Sequence, residues 1–114
     1  IALDFALVRL SNVVKNLNIY PKKMKKNLDI TNGIFFSQRV LIELTSAGFT
    51  REEAYKIVQK NAMRTWNENT SFLSNIISDK KITAKITVNK IKKLFDFGYH
   101  KKKINIIFNR CLKK

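Results

Sequence analysis

The sequence is poor in the residues that build disulfides, metal clusters and tight turns. Its 114 residues include one cysteine, one histidine, one proline and three glycines. Because Cys111 has no second cysteine to pair with, an internal disulfide and a cysteine metal cluster are excluded, and we expect a reducing, cytoplasmic setting. So little proline and glycine favours helices over a β-fold with many turns.

Long hydrophobic runs are also missing. No apolar stretch approaches the roughly 20 residues that a helix needs to span a bilayer, so we expect no membrane partner. Asp4 and Arg9 interrupt the apolar N-terminal segment, which has no basic region ahead of it and makes a poor signal peptide. The chain lacks an initiating Met and opens in mid-pattern with IALDFALV, as a truncated helix does.

Acidic residues are few, and the formal net charge is +15, from 23 lysines and arginines against 8 aspartates and glutamates. Such a charge suggests nucleic acid or an anionic surface as a partner. The excess, however, is mostly dispersed lysine, whereas arginine is the better bidentate ligand for phosphates and bases. The abundance of lysine, asparagine and isoleucine, all with A- and T-rich codons, is typical of drift at solvent-facing positions. We therefore predict no specific nucleic-acid partner. A small basic nucleic-acid-binding module and an independent protein-interaction domain that docks through residues 1–17 are the alternatives.

Residues 31–66 show the clearest pattern, two amphipathic helices joined by a short turn. Ile34, Val40, Leu41 and Leu44 recur at helical spacing and predict one apolar stripe. Gly48 follows at a position where a left-handed residue ends a helix without a Cβ clash.

The second helix of this pair begins with a capping box. The Thr50 hydroxyl can accept from the Glu53 amide while the Glu53 carboxylate reaches back to residue 50. Along the helix an apolar stripe predicts the buried face, with Trp66 as an anchor of the core; its members are Tyr55, Val58, Ala62 and Trp66.

The remaining segments also read as helices, so we predict an all-α fold. Residues 1–17 have an apolar arc wide enough for burial from several sides. Pro21 suits the first turn of a short helix at about 21–28, with Met24 and Leu28 facing inward. Further helices begin after Thr70 or Ser71 and after Thr87, while residues 79–83 read as a polar loop. The last helix, 100–112, is predicted to face inward through Ile104, Ile107, Phe108 and either Cys111 or Leu112.

Two groups of polar residues are candidate sites. Ser37-Gln38-Arg39 could place Arg39 as a clamp for a carboxylate or phosphate. Alternatively, Arg39 pairs with Glu43 or ties the domain to its neighbour. His100, four residues after Asp96, is interpreted as a structural residue that caps the last helix.

The chemistry-bearing motifs of common enzyme classes are absent from the sequence. It shows no glycine-rich phosphate loop, no histidine or cysteine metal spacing and no supportable Ser-His-Asp set. We therefore predict no catalytic, cofactor-binding or metal-binding residue in this chain, and no cofactor.

An ordered series of residues runs through nearly the whole chain and resembles the C-terminal domain of bacterial adenylosuccinate lyase, in the fumarase/aspartase superfamily. The series comprises Tyr20-Pro21, Met24, Asn27-Leu28, Thr31, Gly33, Ser37-Gln38-Arg39-Val40-Leu41, Gly48, Arg51-Glu52, Ala54-Tyr55, Val58-Gln59, Ala62-Met63, Trp66, Phe95-Asp96, Tyr99-His100, Ile107-Phe108 and Arg110.

The resemblance implies that the chain is the last part of a longer lyase. Residues 1–17 would end its central helical bundle, and residues 18–114 would form a compact, all-helical C-terminal domain. The family eliminates fumarate from adenylosuccinate, giving AMP, and from the succinylated imidazole-carboxamide ribotide of purine biosynthesis. It uses a serine and a histidine from earlier segments, needs no metal or organic cofactor, and forms homotetramers. The implied partners are thus the rest of the same polypeptide, identical subunits and, for the parent enzyme, a purine nucleotide.

Overall fold

The computed structural model describes residues 1–112, except the side chain of His100, and all regular secondary structure in that range is helical. The all-α prediction is therefore confirmed. None of the helices in this range combines the length and hydrophobicity that a bilayer crossing needs. The helices are α1 (Ala2–Lys15), α2 (Pro21–Asp29), α3 (Ser37–Ser46, preceded by a 3-10 turn at Ile34–Phe36), α4 (Arg51–Glu68), α5 (Phe72–Ser78), α6 (Lys80–Thr83), α7 (Val88–Leu94), α8 (Gly98–Lys101) and α9 (Ile104–Leu112).

The α3–α4 pair forms as the local sequence predicts. Gly48 lies in the turn with φ +87°, a conformation that a Cβ disfavours. The capping box is present: the Thr50 hydroxyl accepts from the Glu53 amide at 3.2 Å, and the Glu53 carboxylate accepts from the Thr50 amide at 2.9 Å. The predicted helix starts after Ser71 and Thr87 are also observed.

The core lies between α3, α4, α5, α6 and α7. α3 contributes Val40 and Leu44, as its periodicity predicted. The buried cluster comprises Val40, Leu44, Ala54, Val58, Phe72, Ile76, Ile82, Ile86 and Ile91. Partly buried Leu41, Phe49, Leu94 and Phe95 are among the side chains that pack against it.

The predicted buried face of α4 was correct for Val58, which is buried, and for Ala62, which packs partly buried against the core, but wrong for its other two residues. Trp66 is 71% exposed and Tyr55 is 57% exposed, so neither anchors the core. The side of α4 that faces α5 is instead defined by Ala54 and Val58 together with the polar residues Asn61 and Thr65, all of them buried. Asn61 and Thr65 are accommodated there because hydrogen bonds satisfy their polar atoms.

The prediction of a polar loop at residues 79–83 was also wrong. Asp79 caps a short helix there, and its Oδ1 accepts from the Lys81 amide at 3.0 Å. Ile82 has no exposed surface and fills the core. The Asp79 cap stabilises the start of this helix, and burial of Ile82 packs it against the core, although most of its residues are polar.

The terminal helices lie outside the core. None of the residues of α1, α2 or α9 is buried. The predicted inward orientation of the apolar residues in α2 and α9 is therefore wrong for this chain. The residues concerned are Met24, Leu28, Ile104, Ile107, Phe108, Cys111 and Leu112. The layer that could cover them is not supplied by residues 1–112. Because α1, α2 and α9 lie outside the core, the radius of gyration is 19.8 Å, whereas a compact domain of this length has a radius of gyration of about 13 Å.

Candidate functional site

Arg39 ties α3 to the end of α7. Its Nη1 donates to the carbonyls of Leu94 and Asp96, the second at 3.1 Å, and its Nη2 donates to the carbonyl of Lys93 at 3.4 Å. The guanidinium carbon also lies 4.1 Å from the ring centroid of Tyr99. Since a helix C-terminus presents carbonyls without intrahelical donors, a cation stabilises it. Arg39 is thus engaged within the domain, by three backbone carbonyls and the ring of Tyr99.

Glu43 does not pair with Arg39 in the way that the spacing allowed. Its Oε1 lies 2.5 Å from Nζ of Lys90, on α7. The Glu43 side chain is only 17% exposed, whereas that of Lys90 is 60% exposed. This ion pair is a second polar link between α3 and α7, beside the Arg39 contacts.

Ser37 and Gln38, the other two residues of the polar group, line a groove of about 220 Å³ between α3 and α4. Leu41 and Val58 contribute apolar surface to it. The remaining lining residues are Tyr55, Gln59 and Ala62, so no charged side chain contributes to the groove. Hydroxyl, amide and phenol groups over an apolar floor can hydrogen-bond a neutral partner, but they provide neither a nucleophile–base pair nor a metal ligand set.

The groove continues into one exposed side of α4. Met63 follows Gln59 by four residues and Tyr55 by eight, and Trp66 follows them by seven and eleven, which places all four on the same side of the helix. We call this surface the neutral face; it comprises Ser37, Gln38, Leu41, Tyr55, Gln59, Ala62, Met63 and Trp66. Charged residues border this face: Arg51 and Glu52, in the first turn of α4, line a neighbouring groove with Tyr55 and Lys56, and the adjoining exposed side of α4 carries Lys56, Lys60 and Arg64.

A buried polar network links α4 to α5 and α6. Asn61 Nδ2 donates to Asp79 Oδ2 at 3.0 Å, and the Thr65 hydroxyl donates to the Asn61 carbonyl at 3.0 Å. Asn75 Nδ2 donates to the hydroxyls of Thr65 and Thr70 at 2.9 and 2.8 Å. These groups satisfy one another, which is the pattern of a structural network. Sequence reasoning missed it, although Asn61 and Thr65 continue the i, i+4 spacing of Ala54 and Val58.

The described residues show one shifted carboxyl. The amide of Thr50, and secondly its hydroxyl, hydrogen-bond the Glu53 carboxylate and lower its pKa from the ordinary value of 4.5. This is a helix cap, and the shift favours the ionised form, which is the opposite of what a general acid needs.

Asp96 and His100 were the other candidates. Asp96 Oδ1 accepts from the Gly98 amide at 2.8 Å and so shapes the start of α8. The prediction that His100 caps the last helix lies outside the side chains that the structure describes. In residues 1–112, without His100, no three Cys, Asp or Glu side chains are grouped so that they could hold a metal ion.

Comparisons with known proteins locate the chain within a larger family. Residues 33–111 match the family model described as "Adenylosuccinate lyase C-terminus". The adenylosuccinate lyase of Bacillus subtilis (strain 168) is 46% identical over 110 residues, which are 96% of this chain and 26% of that protein. The adenylosuccinate lyase of Thermotoga maritima is 42% identical over 112 residues, 98% of this chain and 26% of that protein. That of Helicobacter pylori (strain 26695) is 44% identical over 117 residues, 94% and 27% of the two chains. The chain spans about a quarter of the length of these curated relatives.

Proposed function

The chain belongs to the adenylosuccinate lyase family, and from that premise we propose that it is the C-terminal part of an adenylosuccinate lyase. The enzyme would eliminate fumarate from adenylosuccinate, giving AMP, and from the succinylated imidazole-carboxamide ribotide of purine biosynthesis. Within it, residues 1–114 would have a structural role.

One observation carries this proposal. The family model for the C-terminus matches residues 33–111, while relatives at 42–46% identity extend to nearly four times the matched length. Identity of that level over almost the whole chain supports a common fold and place in the polypeptide.

The structural role is supported by how the polar groups are used. Arg39 holds the end of α7, and Glu43 pairs with Lys90. Asn61 and Asp79 satisfy each other inside the fold. Elimination of fumarate needs a base that removes a proton from the succinyl carbon and an acid that protonates the leaving nitrogen. We assign both to segments of the enzyme outside this chain.

The wide exposed surface of α1 supports a second element of the proposal. Its apolar residues, among them Phe5, Val8 and Val13, are all exposed in the single chain. We assign residues 1–17 to the end of a central helical bundle and residues 18–114 to the C-terminal domain. Neighbouring bundle helices and identical subunits of a homotetramer would cover α1. We place the assembled enzyme in the cytoplasm.

A fumarate-release assay on two proteins tests the proposal, with the full-length polypeptide in one arm and the 114-residue chain in the other. We expect turnover of adenylosuccinate by the full-length protein and none above background by the chain alone. No fumarate from the full-length protein would contradict the assigned activity. Turnover by the chain alone that disappears with His100→Ala would contradict the structural role.

A further inference from the structure

The neutral face differs in chemistry from the adjoining exposed side of α4, which carries Lys56, Lys60 and Arg64. In a chain of net charge +15, with 27% charged residues, the eight side chains of this face carry no charge. Trp66 is 71% exposed, Tyr55 57% and Met63 52%. These three side chains together expose roughly 400 Å², about the size of the largest apolar patch on a typical monomer, and such patches are often functional.

The composition of the face indicates a protein partner. Cores of protein interfaces are depleted in charge and enriched in aromatic residues and methionine, and a tryptophan or tyrosine is a common energetic centre. A nucleic acid or an anionic surface would instead bind next to the lysines, which lie on the other exposed side of α4 at Lys56 and Lys60. Ser37, Gln38 and Gln59 provide the neutral donors and acceptors that the edge of such an interface needs.

The large side chains of the face fall short of the area that a second copy of the chain would need. Tyr55, Met63 and Trp66 expose roughly 400 Å², whereas a stable interface between separate chains begins at about 600 Å² on each partner. A segment of the same polypeptide does not need that area, because the covalent link gives it a high effective concentration. The relatives carry about three quarters of their length outside the matched region, and the match is to the C-terminus.

We propose that the neutral face is the docking surface for an uncharged, apolar segment of the same polypeptide that precedes residue 1, with Trp66 as its anchor. This inference rests on the proposed function, because it requires the chain to be the last part of a longer protein. It adds the residues through which the C-terminal domain is held to the preceding part.

Chemical footprinting with peptide-level mass spectrometry tests the proposal directly. Oxidation of Met63 is followed in the 114-residue chain and in the full-length polypeptide, with acetylation of Lys60 as the control on the adjoining side of α4. We expect Met63 to oxidise roughly tenfold more slowly in the full-length protein, since reaction then requires local opening, while Lys60 reacts at a similar rate in both. Equal oxidation rates for Met63 would overturn the proposal.

Dilution identifies the occupant. Protection of Met63 by its own polypeptide does not change when the full-length protein is diluted, whereas protection by a neighbouring subunit is lost. Protection that falls on dilution, or that develops in the 114-residue chain as its concentration rises, would assign the face to another copy and refute the intramolecular docking.

A matched pair of substitutions gives an independent readout. Trp66→Ala should lower the melting temperature of the full-length protein by several degrees and leave that of the 114-residue chain almost unchanged. Lys60→Ala should change neither. A loss of stability with Trp66→Ala that is equal in both proteins would show that the side chain acts within this domain. The fumarate assay on the same samples separates the two proposals: an active enzyme with an accessible Met63 contradicts docking alone, and an inactive protein with a protected Met63 contradicts the activity alone.

Discussion

Asn32 and Asn69 are joined by a hydrogen bond of 2.6 Å from Asn32 Nδ2 to Asn69 Oδ1. They are the two non-glycine residues of the described chain with positive φ, 48° and 50°. Asn32 precedes α3 and Asn69 ends α4, and the Asn32 carbonyl also accepts from the Phe72 amide at 2.9 Å. Two asparagines with left-handed backbone conformation are therefore in contact, and through them the segment before α3 is joined to the turn between α4 and α5.

Two substitutions at Asn69 separate its backbone role from its side-chain role. Asn69→Gly keeps access to positive φ and loses the hydrogen bond, so we expect a loss of about 0.5–1.5 kcal/mol in the free energy of unfolding. Asn69→Ala adds the left-handed penalty of a Cβ, about 1–2 kcal/mol more. Denaturant unfolding of both variants, with exposed Asn67→Ala as the control, measures the difference. Equal values for the two variants would show that the backbone conformation contributes nothing.

Arg39 should be essential to the stability of the domain. Arg39→Ala leaves the carbonyls at the end of α7 without their donor, at a cost of about 1.5–3 kcal/mol, since hydrogen bonds to charged groups are the stronger ones. Arg39→Lys should recover little, because an ammonium cannot reproduce the planar fork or its stacking on Tyr99. Thermal unfolding checks both, and Arg51→Ala, an exposed arginine on α4, should change stability by less than about 0.5 kcal/mol. Full recovery by lysine would mean that charge alone is what Arg39 provides.

The exposed position of Trp66 gives a contrast with Phe72, which has no exposed surface. In the 114-residue chain we expect Trp66→Ala to change the free energy of unfolding by no more than about 0.5 kcal/mol. Phe72→Ala removes a core aromatic and should cost about 3–5 kcal/mol, enough to unfold most of the domain. Circular dichroism melts of the two variants provide the comparison. A large loss with Trp66→Ala would restore the buried orientation that the sequence pattern predicted.

The capping box predicts how stability depends on pH. Because the folded-state pKa of Glu53 lies below its ordinary 4.5, the carboxylate contributes fully above that pH. Its contribution is lost as the pH falls from about 4.5 through the lowered folded pKa. The difference in melting temperature between the wild-type chain and Glu53→Gln should therefore shrink as the pH is lowered through this window. Glu52→Gln changes the net charge equally and should show no such trend. A Glu53→Gln difference that grows in acid would reverse the assignment.

The exposed apolar arc of α1 predicts self-association of the 114-residue chain at high concentration. Eleven of residues 1–17 are apolar, and burial contributes about 25 cal/mol for each Å² of apolar surface removed from water. A two-fold pairing of α1 helices is the simplest closed arrangement. Sedimentation should show dimers or larger species, weakened by Phe5→Asp or Val13→Asp and less affected by Asn12→Asp. A chain that stays strictly monomeric would argue against assigning this segment to a bundle.

The features that the sequence predicted correctly depend on neighbours within about four positions. The capping box needs only Thr50 and Glu53, and the end of α3 needs a residue at position 48 that tolerates positive φ. The apolar stripe of α3 was correct because the other side of that helix is polar apart from the exposed Ile42. The family resemblance, carried by an ordered series along the whole chain, was confirmed by the comparisons.

The rotation of α4 could not be determined in the same way. The predicted stripe was Tyr55, Val58, Ala62 and Trp66, and the structure buries Val58 and partly buries Ala62 but leaves Tyr55 and Trp66 exposed. The buried side runs instead through Ala54, Val58, Asn61 and Thr65. It faces the core because Asn75 and Asp79, 10 and 18 residues away from their partners Thr65 and Asn61, satisfy its polar groups. The partner of Arg39 is more distant still, since the carbonyls that it binds are 54 to 57 residues away. Residue type and spacing by themselves determined where the helices form. Which side of each helix is buried, and what its polar groups bind, depended on contacts that exist only once the helices have packed together.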